Sequence, residues 1–230
     1  MDLTKRQEAR AFDSKLRYSR AAISPDGTLV IAWPRPVGEF QIWSPASGKL
    51  VKRLERLGVG GNGVAGFSPN GRWLAIGGSK GYDFLEVRSW KRLFSFRQHR
   101  YAGVLDLDFS PDSRILAVAH SLTKVQLFDT ETGGELATLE PPDPQNVVRL
   151  KFSPDGNLLA VIGARGPIQL WDLRLIRSEL AAMNLDWELP ARHDLRLGQR
   201  DPRQGLEIKS SLRLAALSAG YRCRAKPQDS

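Results

Sequence analysis

The chain has 230 residues, of which 41% are apolar and 26% charged, a balance that supports a buried core and excludes disorder along its whole length. Its single cysteine, Cys223, excludes an internal disulfide framework and a multi-cysteine zinc site. No window holds the roughly 18 consecutive apolar residues that a membrane helix needs. The net charge of +9 suggests a nucleic-acid binder until it is resolved by segment. Residues 1–20 hold six basic and three acidic side chains, residues 191–230 hold nine and four, and 19 basic face 18 acidic over residues 21–190. The basicity therefore belongs to the two ends of a nearly neutral body. Met1 to Glu8 carries charges with no apolar stretch behind them, so the expectation is a cytoplasmic chain without a leader.

Residues 1–15 read as an N-terminal extension. From there the chain repeats itself. Ser24-Pro25-Asp26-Gly27, Ser68-Pro69-Asn70-Gly71, Ser110-Pro111-Asp112-Ser113 and Ser153-Pro154-Asp155-Gly156 recur at intervals of 44, 42 and 43 residues. Each has the chemistry of a tight reversal. Pro presets φ at the first corner, Asp or Asn suits the second, and Gly accepts positive φ at the exit. Ser113 departs from this and is expected either to carry strain of about 1 kcal/mol or to relax the turn.

The flanks of each turn read as strands. Before it come alternating runs such as Leu105, Leu107, Phe109 and Val148, Leu150, Phe152. After it come short buried runs, Leu29 to Ala32, Trp73 to Ile76, Ile115 to Val118 and Leu158 to Val161. Third strands follow at Phe40 to Trp43, Phe84 to Val87, Val125 to Phe128 and Ile168 to Trp171. A fourth is legible in three copies, for example Gly48 to Leu54 and Gly134 to Leu139. Four strands in 42 to 44 residues make one propeller blade.

On this length, and on Leu170-Trp171-Asp172 with the weaker Leu127-Phe128-Asp129, the repeats resemble the WD40 family over about residues 16–190. Trp43-Ser44 and Val87-Arg88 stand at the same place in the first two copies, and His99 is all that remains of the family's Gly-His pair. The family's Asp between strands two and three has one candidate, Asp83. The resemblance implies an all-β propeller segment of four blades over residues 16–172, and a role in binding other proteins. Seven such blades would need about 300 residues, so an open or partial ring is expected, with self-association through its open edges as one outcome.

After Asp172 the period changes. Leu173, Ile176, Leu180, Met183 and Trp187 fall at spacings of 3, 4, 3 and 4, the apolar stripe of a helix ended by Pro190. Residues 173–190 are thus expected to form a capping helix in place of a fourth outer strand, with docking of another protein as the alternative role. Residues 191–230 read as a basic and largely disordered tail, in which Tyr221 is the one aromatic available for stacking on a base.

The sequence offers no catalytic, cofactor-binding or metal-binding residue. Gly58-Val59-Gly60-Gly61-Asn62-Gly63 matches a phosphate loop by letter, but the strand Val64 to Phe67 follows it where a helix is required. Gly77-Gly78-Ser79-Lys80 lacks the spacing of a P-loop, and Asp108-Phe109-Ser110 reads as a blade strand outside any kinase motif set. His99, His120 and His193 have no metal-ligand spacing, and His120 is expected to end a buried strand. Asp106 and Asp108 resemble an acid–base pair but are expected to line a central channel near Arg149 and Lys151. Trp33, Arg35, Tyr82, Trp90, Lys91 and Arg92 are interface-type residues that read first as blade packing.

The functional expectation is a non-catalytic scaffold that binds other proteins. Two alternatives stand beside it: a C-terminal sensory or scaffold part of a bacterial multidomain Ser/Thr kinase, and a nucleic-acid-associated protein that binds through its basic tail.

Overall fold

Each Ser-Pro-Asp turn closes its hairpin by backbone bonds at both ends. Ser24 N donates to Leu29 O at 2.9 Å and Gly27 N to Ser24 O at 2.8 Å, and the same pair recurs at Ser68, Ser110 and Ser153. The turns join first strands to second strands in a computed structural model that describes residues 18–34, 39–54, 63–78, 81–97, 106–119, 123–140 and 146–182. The chain divides into two compact units, residues 1–105 and 106–230.

The first unit holds two antiparallel four-stranded sheets. One orders β1 (Tyr18–Ile23), β2 (Val30–Pro34), β3 (Phe40–Trp43) and β4 (Leu50–Leu54), and the other β5 (Val64–Phe67), β6 (Trp73–Gly78), β7 (Gly81–Glu86) and β8 (Arg92–Arg97). Period 2 decides what is buried between them. Ile31, Trp33, Phe40, Ile42 and Leu54 of the first sheet meet Leu74, Ile76 and Leu85 of the second. Burying side chains of this kind stabilises by about 1.5–3 kcal/mol each. The β7 strand starts three residues earlier than the apolar run from Phe84 implies, because Gly81 pairs directly with Gly78.

The second unit holds β9 (Leu107–Phe109), β10 (Ile115–Ala119), β11 (Val125–Asp129) and β12 (Glu135–Leu139) in one sheet. A three-stranded sheet of β13 (Val147–Phe152), β14 (Leu158–Gly163) and β15 (Gln169–Asp172) follows, then α1 (Leu173–Ala182). Ala117, Leu127 and Leu139 pack against Leu150, Phe152, Leu159, Val161 and Trp171, and the helix adds Leu173, Ile176 and Leu180 from its apolar stripe. Met183 and Trp187, the rest of that stripe, lie outside the described residues. Among the described residues no helix is long and apolar enough to cross a membrane.

The seryl hydroxyl of each turn makes a contact not foreseen from the sequence. It accepts the N–H of the residue five positions on, Leu29, Trp73, Ile115 or Leu158, at 2.9 Å in every copy. It also donates to the side chain of Asp26, Asn70, Asp112 or Asp155 at 2.5–2.7 Å. That carboxylate or amide oxygen then accepts the N–H two residues later. Ser113 does not relax: it keeps φ at 63°, where Gly27, Gly71 and Gly156 sit at 68–70°. The Thr130 hydroxyl holds it there by donating to the Ser113 carbonyl at 2.7 Å.

Candidate interaction surface

Asp106 and Asp108 lie on the inner strand of the third blade, and their carboxylates are taken up by the neighbouring strand β13. Asp106 Oδ2 accepts the Leu150 N–H and Asp108 Oδ2 the Phe152 N–H, both at 2.8 Å. Lys151 Nζ lies 2.9 Å from Asp108 Oδ1, and Arg149 Nη1 lies 3.7 Å from Asp106 Oδ1. The expected pairing across two blades is present. The expected channel lining needs correction, because these carboxylates are turned onto the backbone of the next blade, where they satisfy N–H groups that β14 does not reach. That geometry fastens one blade to another and offers no free acid or base.

Asp83 also has a structural place. It sits inside β7, buried, in a position different from the family's turn aspartate. It accepts the Ser95 hydroxyl at 2.5 Å and pairs with Arg92 Nε at 3.0 Å. Among the turn carboxylates, Asp155 is held at about 2, chiefly by the Ser153 hydroxyl and the Asn157 N–H. Asp26 is lowered for the same reasons by Ser24 and Thr28.

The interface-type residues named from the sequence disperse in the same way. Trp33 is buried against Phe40, with ring centroids 5.7 Å apart, and Tyr82 is buried in β7. Trp90 is half-buried against the core of the first unit, Lys91 is exposed, and Arg92 serves Asp83. Arg35, His99, His120, His193, Tyr221 and Cys223 lie outside the described residues, as does the basic tail on which the nucleic-acid reading rests. Gly63 leads into β5 and Asp108 and Phe109 lie in β9, so neither letter match opens a helix. Among the described residues no group of His, Cys, Asp and Glu has the geometry to hold a metal ion.

The third strand of the last sheet stands apart from this economy. In the other three sheets the third strand is paired on both sides, whereas among the described residues β15 pairs with β14 alone. Leu170, Ile168 and Ile162 are 46%, 62% and 38% exposed. They share the face opposite Trp171, with Ile162 and Ile168 one rung beyond the Val161–Gln169 pair. Their residue types do not set these aliphatic side chains apart from any blade strand, and the missing fourth strand is the sequence signal that points to them.

Residues 65–145 match the family model described as the WD40 domain of anaphase-promoting complex subunit 4. Over this span the repeats are WD40-type propeller blades. The meiotic recombination protein rec14 of Schizosaccharomyces pombe is 30% identical over 116 residues, covering 50% of this WD40 chain and 38% of that protein. The chain thus spans well under half the length of this relative. Kuenenia stuttgartiensis hydrazine synthase superposes with a TM-score of 0.58 at 15% identity, over 74% of this chain and 49% of that one. At that identity the likeness speaks for the fold alone.

Proposed function

We propose that this WD40 chain is a non-catalytic scaffold that binds other proteins. The observation that carries the reading is the way the chain distributes its side chains. Residues suited to acid–base chemistry are engaged by backbone amides and neighbouring cations, as at Asp106, Asp108 and Asp83. Ile162, Ile168 and Leu170 meanwhile stand exposed together on one face of the last sheet. Grouped exposed aliphatic residues favour macromolecular contact over small-molecule turnover. The family model carries the name of a subunit of a complex, which agrees with a role in assembly.

The test is affinity purification of the full chain after chemical cross-linking, followed by reconstitution of each recovered protein with the purified chain and titration calorimetry. Saturable binding of a purified protein is the expected result. If every recovered protein fails to bind on reconstitution, the scaffold reading is wrong.

A further inference from the structure

Leu173 N donates to Asn157 O at 2.9 Å, and that bond sets the parity of the β14–β15 ladder. In an antiparallel pair, residues facing the partner strand alternate with residues whose N–H and C=O point away. Trp171 and Gln169 therefore face β14. The N–H and C=O of Leu170 and the N–H of Asp172 point to the open side. The third blade shows the same parity with the open side filled. Thr130 N donates to Arg114 O, and Asp129, the counterpart of Asp172, donates its N–H across to Gly134 O at 2.9 Å. Leu127, the counterpart of Leu170, pairs with Ala137 of β12. No described strand fills that place beside β15.

We infer that the open edge of β15 is a strand-addition site for an extended segment of a partner protein, apolar at every second residue and acidic at its ends. This rests on the scaffold reading and names the surface it uses. Unpaired edge groups supply main-chain bonds to an incoming strand, and side chains alternating across the pleat supply selectivity. Here Leu170 lies on the open strand, Ile168 just before it and Ile162 on β14, three exposed aliphatic side chains on one face. An added strand would place alternate apolar residues beside Leu170 on that face. Charge complementarity chooses its ends. Exposed Arg165 sits in the β14–β15 turn, at one end of the edge. Arg174, 66% exposed, sits at the other, 3.8 Å from Asp172 and within electrostatic reach of Asp155. Most natural edge strands are protected by inward charges, prolines or bulges. Within Gln169–Asp172 the pairing with β14 is regular, and the one charged side chain, Asp172, is turned toward the helix, where it accepts the Arg174 and Leu175 N–H groups at 3.0 and 3.1 Å.

The test is selection of a random twelve-residue peptide library on phage against the full chain, with the selected peptides then synthesised and titrated. Expected are peptides with apolar residues at alternate positions between acidic flanks. Their binding should weaken roughly tenfold or more when Leu170→Asp is introduced, or when alternate peptide amides are N-methylated. Amide hydrogen exchange at Leu170 and Asp172 should slow in the complex. Ile168→Asp is the second variant, and thermal melts of both establish that they fold. Absence of any selected binder, binding indifferent to both variants, or binding indifferent to N-methylation each overturns the proposal. A reconstituted protein partner that binds Leu170→Asp as tightly as the parent chain overturns the edge site and leaves the scaffold reading standing. Edge-binding peptides with no reconstituted protein partner do the reverse.

Discussion

Replacing Ser110 with alanine removes one oxygen that performs two tasks. The Ser110 hydroxyl accepts the Ile115 N–H at 2.9 Å and donates to Asp112 Oδ1 at 2.5 Å, and Ser110 and Ile115 are both buried. With the oxygen gone, water has no access to the Ile115 amide. An unsatisfied buried donor costs about 1–3 kcal/mol. For a chain of this size a loss of about 2 kcal/mol lowers Tm by on the order of 4–8 °C. Ser153 makes the same two bonds, to Leu158 at 2.9 Å and Asp155 at 2.5 Å, but it is only half-buried, so water replaces the lost oxygen and the effect stays below about 1 kcal/mol. Thermal melts of Ser110→Ala and Ser153→Ala in the full chain, followed by circular dichroism, therefore separate the buried turn from the exposed one. Equal shifts in the two variants would refute the argument from burial, and an unchanged Tm in Ser110→Ala would refute the role of the hydroxyl altogether.

At Asp108 the backbone bond and the ion pair make unequal contributions. Lys151 is 75% exposed, so Lys151→Ala should cost no more than about 1 kcal/mol. Asp108→Ala, which also strips the Phe152 N–H of its acceptor, should cost more by urea denaturation; the reverse order would contradict the structure. The acid limb tests the turn carboxylates. Asp155 titrates at about 2 in the folded chain against an ordinary 3.8, so its contribution is complete above 3.8 and is lost as pH falls through about 2. Asp155→Asn should flatten the stability profile between those values, since Asn70 already fills the same place in the second turn, and an unaltered acid limb would count against this assignment. Finally, Trp90 holds φ at 56°, so Trp90→Gly and Trp90→Ala lose the same packing while only glycine accepts that backbone at little cost. The glycine variant should be the more stable of the two by roughly 1 kcal/mol, and a less stable glycine variant would mean that the turn is not strained.

The parts of this molecule that are legible in its sequence are those decided by neighbours along the chain. The four turns could be placed because Pro, Asp and Gly act within four residues. The strands that flank them follow from period 2, and the switch to a helix follows from the spacing of Leu173, Ile176 and Leu180. Ser113 could be flagged because its three counterparts are glycines. Contacts between blades are harder to read. Alternation shows that a strand has two faces but not which neighbour covers each. Tyr82 and Trp33 thus carry the composition of an interface while lying in the interior. The partners of Asp106 and Asp108 were half legible: the cations of the next blade could be named, but the amides of Leu150 and Phe152 could not, because nothing in a side-chain pattern marks which backbone groups a sheet leaves unpaired. The exposed aliphatic face is hard to read for the same reason, since Ile168 and Leu170 look like any other third strand until the absent fourth is taken into account.

One position accounts for that absence. Asp129 and Asp172 end their strands in the same way, each accepting two following N–H groups on one carboxylate oxygen, from Glu131 and Thr132 in the first case and from Arg174 and Leu175 in the second. To this point the two blades are alike. Four residues after Asp129 comes Gly133, whose φ of 73° turns the chain back, its N–H donating to Asp129 O at 2.9 Å. Gly48 does the same in the first blade, and Trp90 in the second, each with an N–H bond of 2.8 Å to the residue four before it. In the last blade the corresponding residue is Ile176, four after Asp172. A β-branched side chain at positive φ is strongly disfavoured. The run Leu173 to Ala182 instead continues the turn as helix, with Ile176 and Leu180 packed against the core. An aspartate that elsewhere starts a reversal here becomes a helix N-cap. Among the described residues the fourth strand is lost as a consequence, and the edge of β15 stands open by the same local choice that gives the last blade its helix.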